Sequence, residues 1–277
     1  MTRTLVNGRE SELLTVHDRG VLYGDGLFET LAVKDGRPLR WTAHIERLTR
    51  GCATLGIPMP PEAVLAEESA QLCDARGNAV LRITVSRGSG GRGYAPPPAG
   101  TRPTRIIALY EWPAYPRTYW NEGIAVAICN TRLARQPRLA GLKHLNRLEQ
   151  VLARAELSGL DAVEGLMLDT ADHVIEGTMS NVFVIRGGEL STPDLGFCGV
   201  AGVVRARVLE RAAEWGLKAA TREFSISDIH SADEVFFTNS VIGLWPARRI
   251  GSRDIPSTRR GLEIAHALSV EDCIVVP

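Results

Sequence analysis

The sequence predicts a mixed α+β protein of two domains, residues 1–114 and 115–277. Two observations predict the class and a third the division. Strand-like runs, Ala79–Ser86 and Arg105–Glu111 among them, are interleaved with helical spacings such as Ile45, Leu48, Cys52 and Leu55. Turn signals of the Asn-Gly and Gly-Gly kind separate short extended runs. The stretch Trp112-Pro113-Ala114-Tyr115-Pro116 punctuates the chain, because two closely spaced prolines do not propagate a helix or a strand. The first part reads as a smaller α/β domain. The second reads as a larger set of mixed strands with flanking helices.

In chain order, Asn7-Gly8 is a turn between extended runs, and Lys34-Asp35-Gly36 is another. A helix is expected over Ala43–Leu55, stopped by Gly56. Pro61 opens a second helix expected to run to Ala75, with Gly77 just beyond. Strands follow at Ala79–Ser86 and Arg105–Glu111, around the glycine-rich run Arg87–Tyr94 and the prolines at 96, 97 and 98. Past the punctuation come a strand over Gly123–Asn130 and a helix over Asn146–Ser158 that sets Leu148, Val151, Leu152 and Ala155 on one face. Hairpins are expected for Glu164–Asp169 with Val174–Thr178, and for Asn181–Arg186 with Glu189–Thr192 about Gly187-Gly188. A helix over Gly202–Trp215, a strand over Glu234–Thr238 and a helix over Arg260–Leu268 complete the reading.

Composition narrows the function. The formal net charge is +0, with 32 acidic and 32 basic residues, which argues against a nucleic-acid or membrane-surface role. No apolar run approaches the roughly 20 residues of a membrane span. The first residues carry no long apolar core, so no secretory signal is visible. The five cysteines include no Cys-x-x-Cys. They read as thiols of a reducing cytoplasm, with no disulfide frame and no metal site.

Lys143 is the most informative residue. It is one of three lysines among the 32 basic residues, so 29 are arginine. Arginine stays protonated and forms no imine, whereas a partly buried lysine loses its proton and acts as nucleophile or base. Lys34 and Lys218 have ordinary settings, a turn and a helix end, but Lys143 lies among small and apolar residues in Leu139–Asn146. Glu176 stands alone between apolar residues at a strand end, where a carboxylate wants a cation. Gly199–Arg205 is a glycine-punctuated turn into a helix, whose first amides suit an anion. Arg47 lies in His44-Ile45-Glu46-Arg47-Leu48, and Arg87 and Arg92 lie in the glycine-rich loop.

These stretches, with Asp18-Arg19, Tyr23–Thr30, Glu176–Phe183 and Gly202–Arg205, resemble the fold-type IV pyridoxal-phosphate enzymes over nearly the whole chain. That group holds branched-chain and D-amino-acid aminotransferases and aminodeoxychorismate lyases. Val85–Tyr94 and Leu139–Gln150 are most similar to the lyase branch. The resemblance implies a D-amino-acid-aminotransferase-like fold, pyridoxal 5'-phosphate as cofactor, and a cytoplasmic homodimer with its active site near the interface. It implies that Lys143 forms the imine with the cofactor and moves the proton. Glu176 then pairs with the ring nitrogen, and Arg47, Val203, Val204, Asn239 and Ser240 hold the phosphate. Arg87, Arg92, Tyr94, Glu29 and Thr30 fall on the substrate side. The implied reaction turns 4-amino-4-deoxychorismate into 4-aminobenzoate and pyruvate, on the route to folate. A D- or branched-chain aminotransferase would share every cofactor residue. A non-catalytic binding module on the same fold would have no use for Lys143.

Overall fold

The computed structural model describes residues 3–73, 77–97 and 100–276. Contacts divide the chain into two units, Met1–Pro113 with Leu142–Asn146, and Ala114–Gly141 with Arg147–Pro277. The division falls inside the Trp112–Pro116 punctuation. Leu142–Asn146, Lys143 included, groups with the first unit, whereas the sequence placed it in the second. The reason is backbone pairing: Phe28 N donates to Lys143 O at 3.0 Å and Leu145 N to Gly26 O at 3.0 Å.

The first unit contains β1 (Arg3–Val6), β2 (Arg9–Glu10), α1 (Arg19–Tyr23), β3 (Gly26–Lys34), β4 (Arg37–Pro38), α2 (Trp41–Leu55), α3 (Glu62–Leu72), β5 (Ala79–Ser86) and β6 (Thr104–Glu111). The six strands form one antiparallel sheet in the order β2-β1-β6-β5-β3-β4. Asn7 and Gly8 both take positive φ, 51° and 79°, as a two-residue hairpin turn demands. The core joins Leu31, Leu48, Leu65, Leu81, Ile83 and Ile107. A Cβ at Gly51 would lie 2.9 Å from both Leu27 methyls, so a mid-helix glycine lets α2 settle onto β3. The expected end of the second helix at Ala75 lies outside the described residues, as does Pro98.

The second unit contains α4 (Thr118–Asn121), β7 (Ile124–Leu133), α5 (Leu148–Ala155), β8 (Glu164–Asp169), β9 (Val174–Gly177), β10 (Asn181–Arg186), β11 (Glu189–Pro193), α6 (Val203–Arg211), β12 (Lys218–Arg222), α7 (Ile226–His230), β13 (Glu234–Asn239), β14 (Gly243–Ile250), β15 (Arg253–Asp254) and α8 (Arg259–Val270). Its sheet runs β12-β11-β10-β13-β14-β7-β8-β9, with β15 beside β14. Both expected hairpins, β8–β9 and β10–β11, are antiparallel. The pairs β11–β12, β14–β7 and β7–β8 are parallel.

Both faces of this sheet are covered. Val182, Val184, Val235 and Phe237 point to one core with Trp120 and Trp245. Phe183, Ile185 and Phe236 point to the other, with Val204 and Val208 of α6 and Ile264 and Leu268 of α8. Period-two alternation with apolar residues at every position is the mark of a strand buried on both sides. Tyr115 of the punctuating stretch joins the first of these cores, its ring edge-on to Trp245 at 4.9 Å. The helix expected over Gly202–Trp215 is α-helical only to Arg211, and Ala212–Trp215 tightens to a 3-10 turn. The helix expected over Asn146–Ser158 is the shorter α5. Its predicted apolar face is present, but Leu148, Val151 and Leu152 are 76%, 60% and 59% exposed. Among the described residues no helix is long and apolar enough to cross a membrane, and no group of His, Cys, Asp or Glu could hold a metal ion.

Candidate active site

In the first unit the segment Leu142–Asn146 lines the edge of β3 near Gly26–Phe28, with Leu27 and His144 bridged antiparallel. This places the Lys143 ammonium over the Phe28 ring, 4.5 Å from its centroid. The lysine is half-buried, with an aromatic face beside it.

One residue along β3, Glu29 is 1% exposed. Arg47 on α2 donates from Nε to Glu29 Oε1 at 2.8 Å and from Nη2 to Oε2, and His44 Nδ1 lies 2.7 Å from Oε2. His44 and Arg47 are three apart on α2, so both reach the same carboxylate. Burial alone would raise the Glu29 carboxyl, but the Arg47 charge and the hydrogen bonds from Arg47 and His44 outweigh it and hold it to about 2. Burial pushes His44 down from 6.5, against the pull of Glu29. Glu29 was expected on the substrate side. The structure instead turns it inward, where it fixes the plane of the Arg47 guanidinium.

Arg87 needs the same correction. It is 8% exposed, paired through Nε and Nη2 with Asp25, and donates to the carbonyls of Leu55 and Gly56. A guanidinium held by four such bonds is structural. Arg92 and Tyr94 are exposed, Tyr94 at 86%, and Thr30 is half-buried.

In the second unit Glu176, on β9, is 4% exposed. Val200 N donates to its Oε2 at 2.8 Å, and Gln150 Nε2 lies 3.3 Å from Oε1. Arg147 and Arg205 are held below their ordinary values chiefly by burial, and the Glu176 charge pulls each back up. Two half-buried guanidinium groups thus sense this carboxylate, Arg205 after the larger pull of Asp194. Gln150 and the Val200 amide escaped the sequence reading as partners of Glu176. The signal for Gln150 was its place at the end of Leu139–Gln150.

The turn after Glu176 rests on Glu164, which is 0% exposed and accepts from Thr178 N at 3.0 Å, from Thr178 Oγ1, and from Ser180 Oγ at 2.7 Å. Beyond that turn, Asn181 Nδ2 donates to Val200 O at 2.8 Å. Gly202 is the N-cap of α6 and supplies no side-chain cap. A Cβ there would sit 2.0 Å from Asn181 Oδ1, so only glycine fits and the first amides of Val203 and Val204 stay uncovered by any cap. Asn239 forms a turn, accepting from Val241 N and Ile242 N at 2.8 Å and donating to Met179 O at 3.0 Å. Its side chain therefore shapes the Asn239-Ser240 corner.

The residues of this unit suit the expected cofactor. A helix start of nine residues without a capping side chain takes a phosphate, and a buried carboxylate takes a protonated ring nitrogen. The Gln150 Oε1 and Thr238 Oγ1 atoms are buried with no hydrogen-bond partner, which leaves polar atoms for a bound group to satisfy.

Comparison with known proteins shows the family. The sequence matches the family described as amino-transferase class IV over residues 26–250. A solved 4-amino-4-deoxychorismate lyase from Pseudomonas aeruginosa is 47% identical, with a TM-score of 0.90, covering 98% of this chain and 100% of that one. An aminodeoxychorismate lyase of Vibrio harveyi is 38% identical over 248 residues, 89% of this chain and 91% of its own length. A putative branched-chain-amino-acid aminotransferase of Methanocaldococcus jannaschii is 30% identical over 253 residues, covering 90% of this chain and 86% of that protein.

Proposed function

Because the chain belongs to the amino-transferase class IV family, we propose that it is a pyridoxal 5'-phosphate enzyme converting 4-amino-4-deoxychorismate to 4-aminobenzoate and pyruvate. The observation that carries the reading is Lys143, a half-buried lysine on the face of Phe28 in a chain that otherwise prefers arginine. The choice of a lyase over a transaminase rests on the likeness to two lyases, at 47% and 38% identity.

When bound, the cofactor supplies an electron sink for the charge left as a proton departs. The roles of the protein follow from its side chains. Lys143 would hold the cofactor, and its free amine would take the proton from ring carbon C4 of the substrate. Glu176 would hold a proton on the ring nitrogen, because a carboxylate beside it favours the protonated form. The amides of Val203 and Val204 serve the phosphate, and Arg47, Asn239 and Ser240 are assigned to the same group. Arg92, exposed on its loop, is assigned to a substrate carboxylate. Loss of the enolpyruvyl group makes the ring aromatic, so the elimination runs downhill.

A homodimer is part of the proposal, supported by the exposed apolar stripe Leu148, Val151 and Leu152 on α5. A cytoplasmic setting is supported by five cysteines that all remain free thiols.

The test is product identity. The purified holoenzyme, given aminodeoxychorismate and no keto acid, should release 4-aminobenzoate and pyruvate over many turnovers. Conversion of a D- or branched-chain amino acid with 2-oxoglutarate, without any 4-aminobenzoate, would make the protein an aminotransferase.

A further inference from the structure

Asp25 ties together both ends of the glycine-rich segment Arg87–Tyr94. At the near end, Arg87 donates from Nε to Asp25 Oδ2 at 2.7 Å and from Nη2 to Oδ1 at 2.9 Å, and Arg87 N donates to Asp25 O at 3.0 Å. Arg19 completes the clasp from α1, Nε to Asp25 Oδ2 at 2.8 Å. The same guanidinium reaches the far end, donating from Nη1 to Gly93 O at 2.9 Å and from Nη2 to Tyr94 O at 3.2 Å. Arg19 N also donates to Gly88 O at 3.0 Å, and Gly93 N to Tyr23 Oη at 3.1 Å. The Tyr94 ring meets Tyr23 edge-on at 5.4 Å.

The tip of the segment has little else to hold it. A Cβ added at Gly91 or Gly93 would meet nothing within 4 Å. A run with three glycines between positions 90 and 93, of which only Gly90 lies against neighbours, Arg19 and Pro97, takes its conformation largely from its hydrogen bonds. Those bonds come from Arg19 and Tyr23, and Arg19 is aimed by Asp25.

We propose that Asp25 is a positioning residue that fixes the Arg87–Tyr94 segment in one arrangement, so that Arg92 stands ready for a substrate carboxylate. The substrate half of this inference rests on the proposed lyase reading. The clasp itself rests on the distances alone. Arg19 acts as a rod between the carboxylate and two loop carbonyls. Removing the charge of Asp25 leaves both arginines without the anion that orients them, and the far end of the loop is released. Ordering that the protein has completed beforehand is ordering that binding need not supply.

Asp25→Asn keeps the shape of the side chain and removes its charge. The holoenzyme should be digested briefly with trypsin under native conditions and the fragments weighed. Cleavage after Arg92, yielding 1–92 and 93–277, should be about ten-fold faster than in the parent, the size expected for one lost charge-assisted bond. The visible absorbance of the bound cofactor should not move, and the apparent KM for aminodeoxychorismate should rise about as much as the cleavage rate, with kcat less affected. Cleavage at the parental rate in folded Asp25→Asn would overturn the clasp. Faster cleavage with an unchanged KM would keep the clasp and overturn the role given to Arg92. If Asp25→Asn does not fold, Tyr23→Phe decides. It removes only the oxygen that accepts from Gly93 N, and should speed the same cut about two- to three-fold, while unchanged cutting would overturn the clasp.

Discussion

Glu29 and Glu176 are two buried carboxylates, one in each unit, and they are met by different groups. Glu29 meets a bidentate guanidinium and an imidazole. Glu176 accepts from a backbone amide and a glutamine, and Arg147 and Arg205 feel its charge. A directly paired carboxylate has its charge cancelled in place and serves as a strut. Glu176 is the carboxylate assigned to the cofactor ring nitrogen in the proposed function, whereas Glu29 is turned onto Arg47 and His44. Both are buried glutamates, so it is the groups around them that differ.

The largest effect is expected at Lys143, whose segment pairs with β3 at Phe28. Lys143→Ala should retain its fold and lose turnover by at least about 10²–10⁴-fold, the worth of general acid–base catalysis alone. Borohydride should fix the cofactor to the Lys143 peptide of the parent and to no peptide of the variant. A label on Lys34 or Lys218 would remove Lys143 from the chemistry.

Glu29→Gln comes next and breaks the strut. It leaves Arg47 buried without its counter-charge, which costs about 3–5 kcal/mol when one partner of a buried pair is removed. Urea midpoints measure this. The parent's response to acid gives a second measure. The His44 folded pKa lies below its usual 6.5, so the unfolded chain binds more protons there, and stability declines as pH falls through 6.5. The Glu29 carboxyl is depressed from 4.5 to about 2, so its contribution is present above 4.5 and is lost between 4.5 and about 2. Glu29→Gln should lose the Glu29 share of the second decline.

Glu176→Gln sharpens the contrast from the other side. An amide oxygen still accepts from Val200 N, so stability should change by only about 1 kcal/mol. Turnover should nevertheless fall, since a neutral amide no longer keeps the ring nitrogen protonated. Equal destabilisation in Glu29→Gln and Glu176→Gln would erase the distinction between the two carboxylates. The smallest effect on the single chain is expected at Val151→Glu on α5. An exposed substitution changes stability by within about 0.5 kcal/mol, yet a charge in the stripe should shift sedimentation from dimer to monomer. An unchanged sedimentation coefficient would place the second copy elsewhere.

How much was legible depended on how local the signal was. The strand β5 is found at Ala79–Ser86 as expected, and β8 and β10 at Glu164–Asp169 and Asn181–Arg186, because alternation and turn residues are written within a few positions. The strand β3 passed unnoticed. Glu29 interrupts its apolar run, and the Arg47 and His44 that make that carboxylate acceptable come from 18 and 15 residues away. The apolar face of α5 was legible as a face but not as an exposed one, since periodicity says which residues share a side and nothing of what covers it.

The sequence by itself determined the chemistry available here. Lysine chemistry at Lys143, an anion-ready helix start after Gly202 and a solitary Glu176 follow from residue identity and near neighbours. Only the tertiary structure decided which charged groups stay available. Arg87 and Arg92 are equivalent as letters in one loop, yet Arg87 is sealed against Asp25, Leu55 and Gly56 while Arg92 faces solvent. Partners 31 to 62 residues away made that choice. A residue's type sets what it can do, but its burial and its long-range partners set whether it remains free to do it.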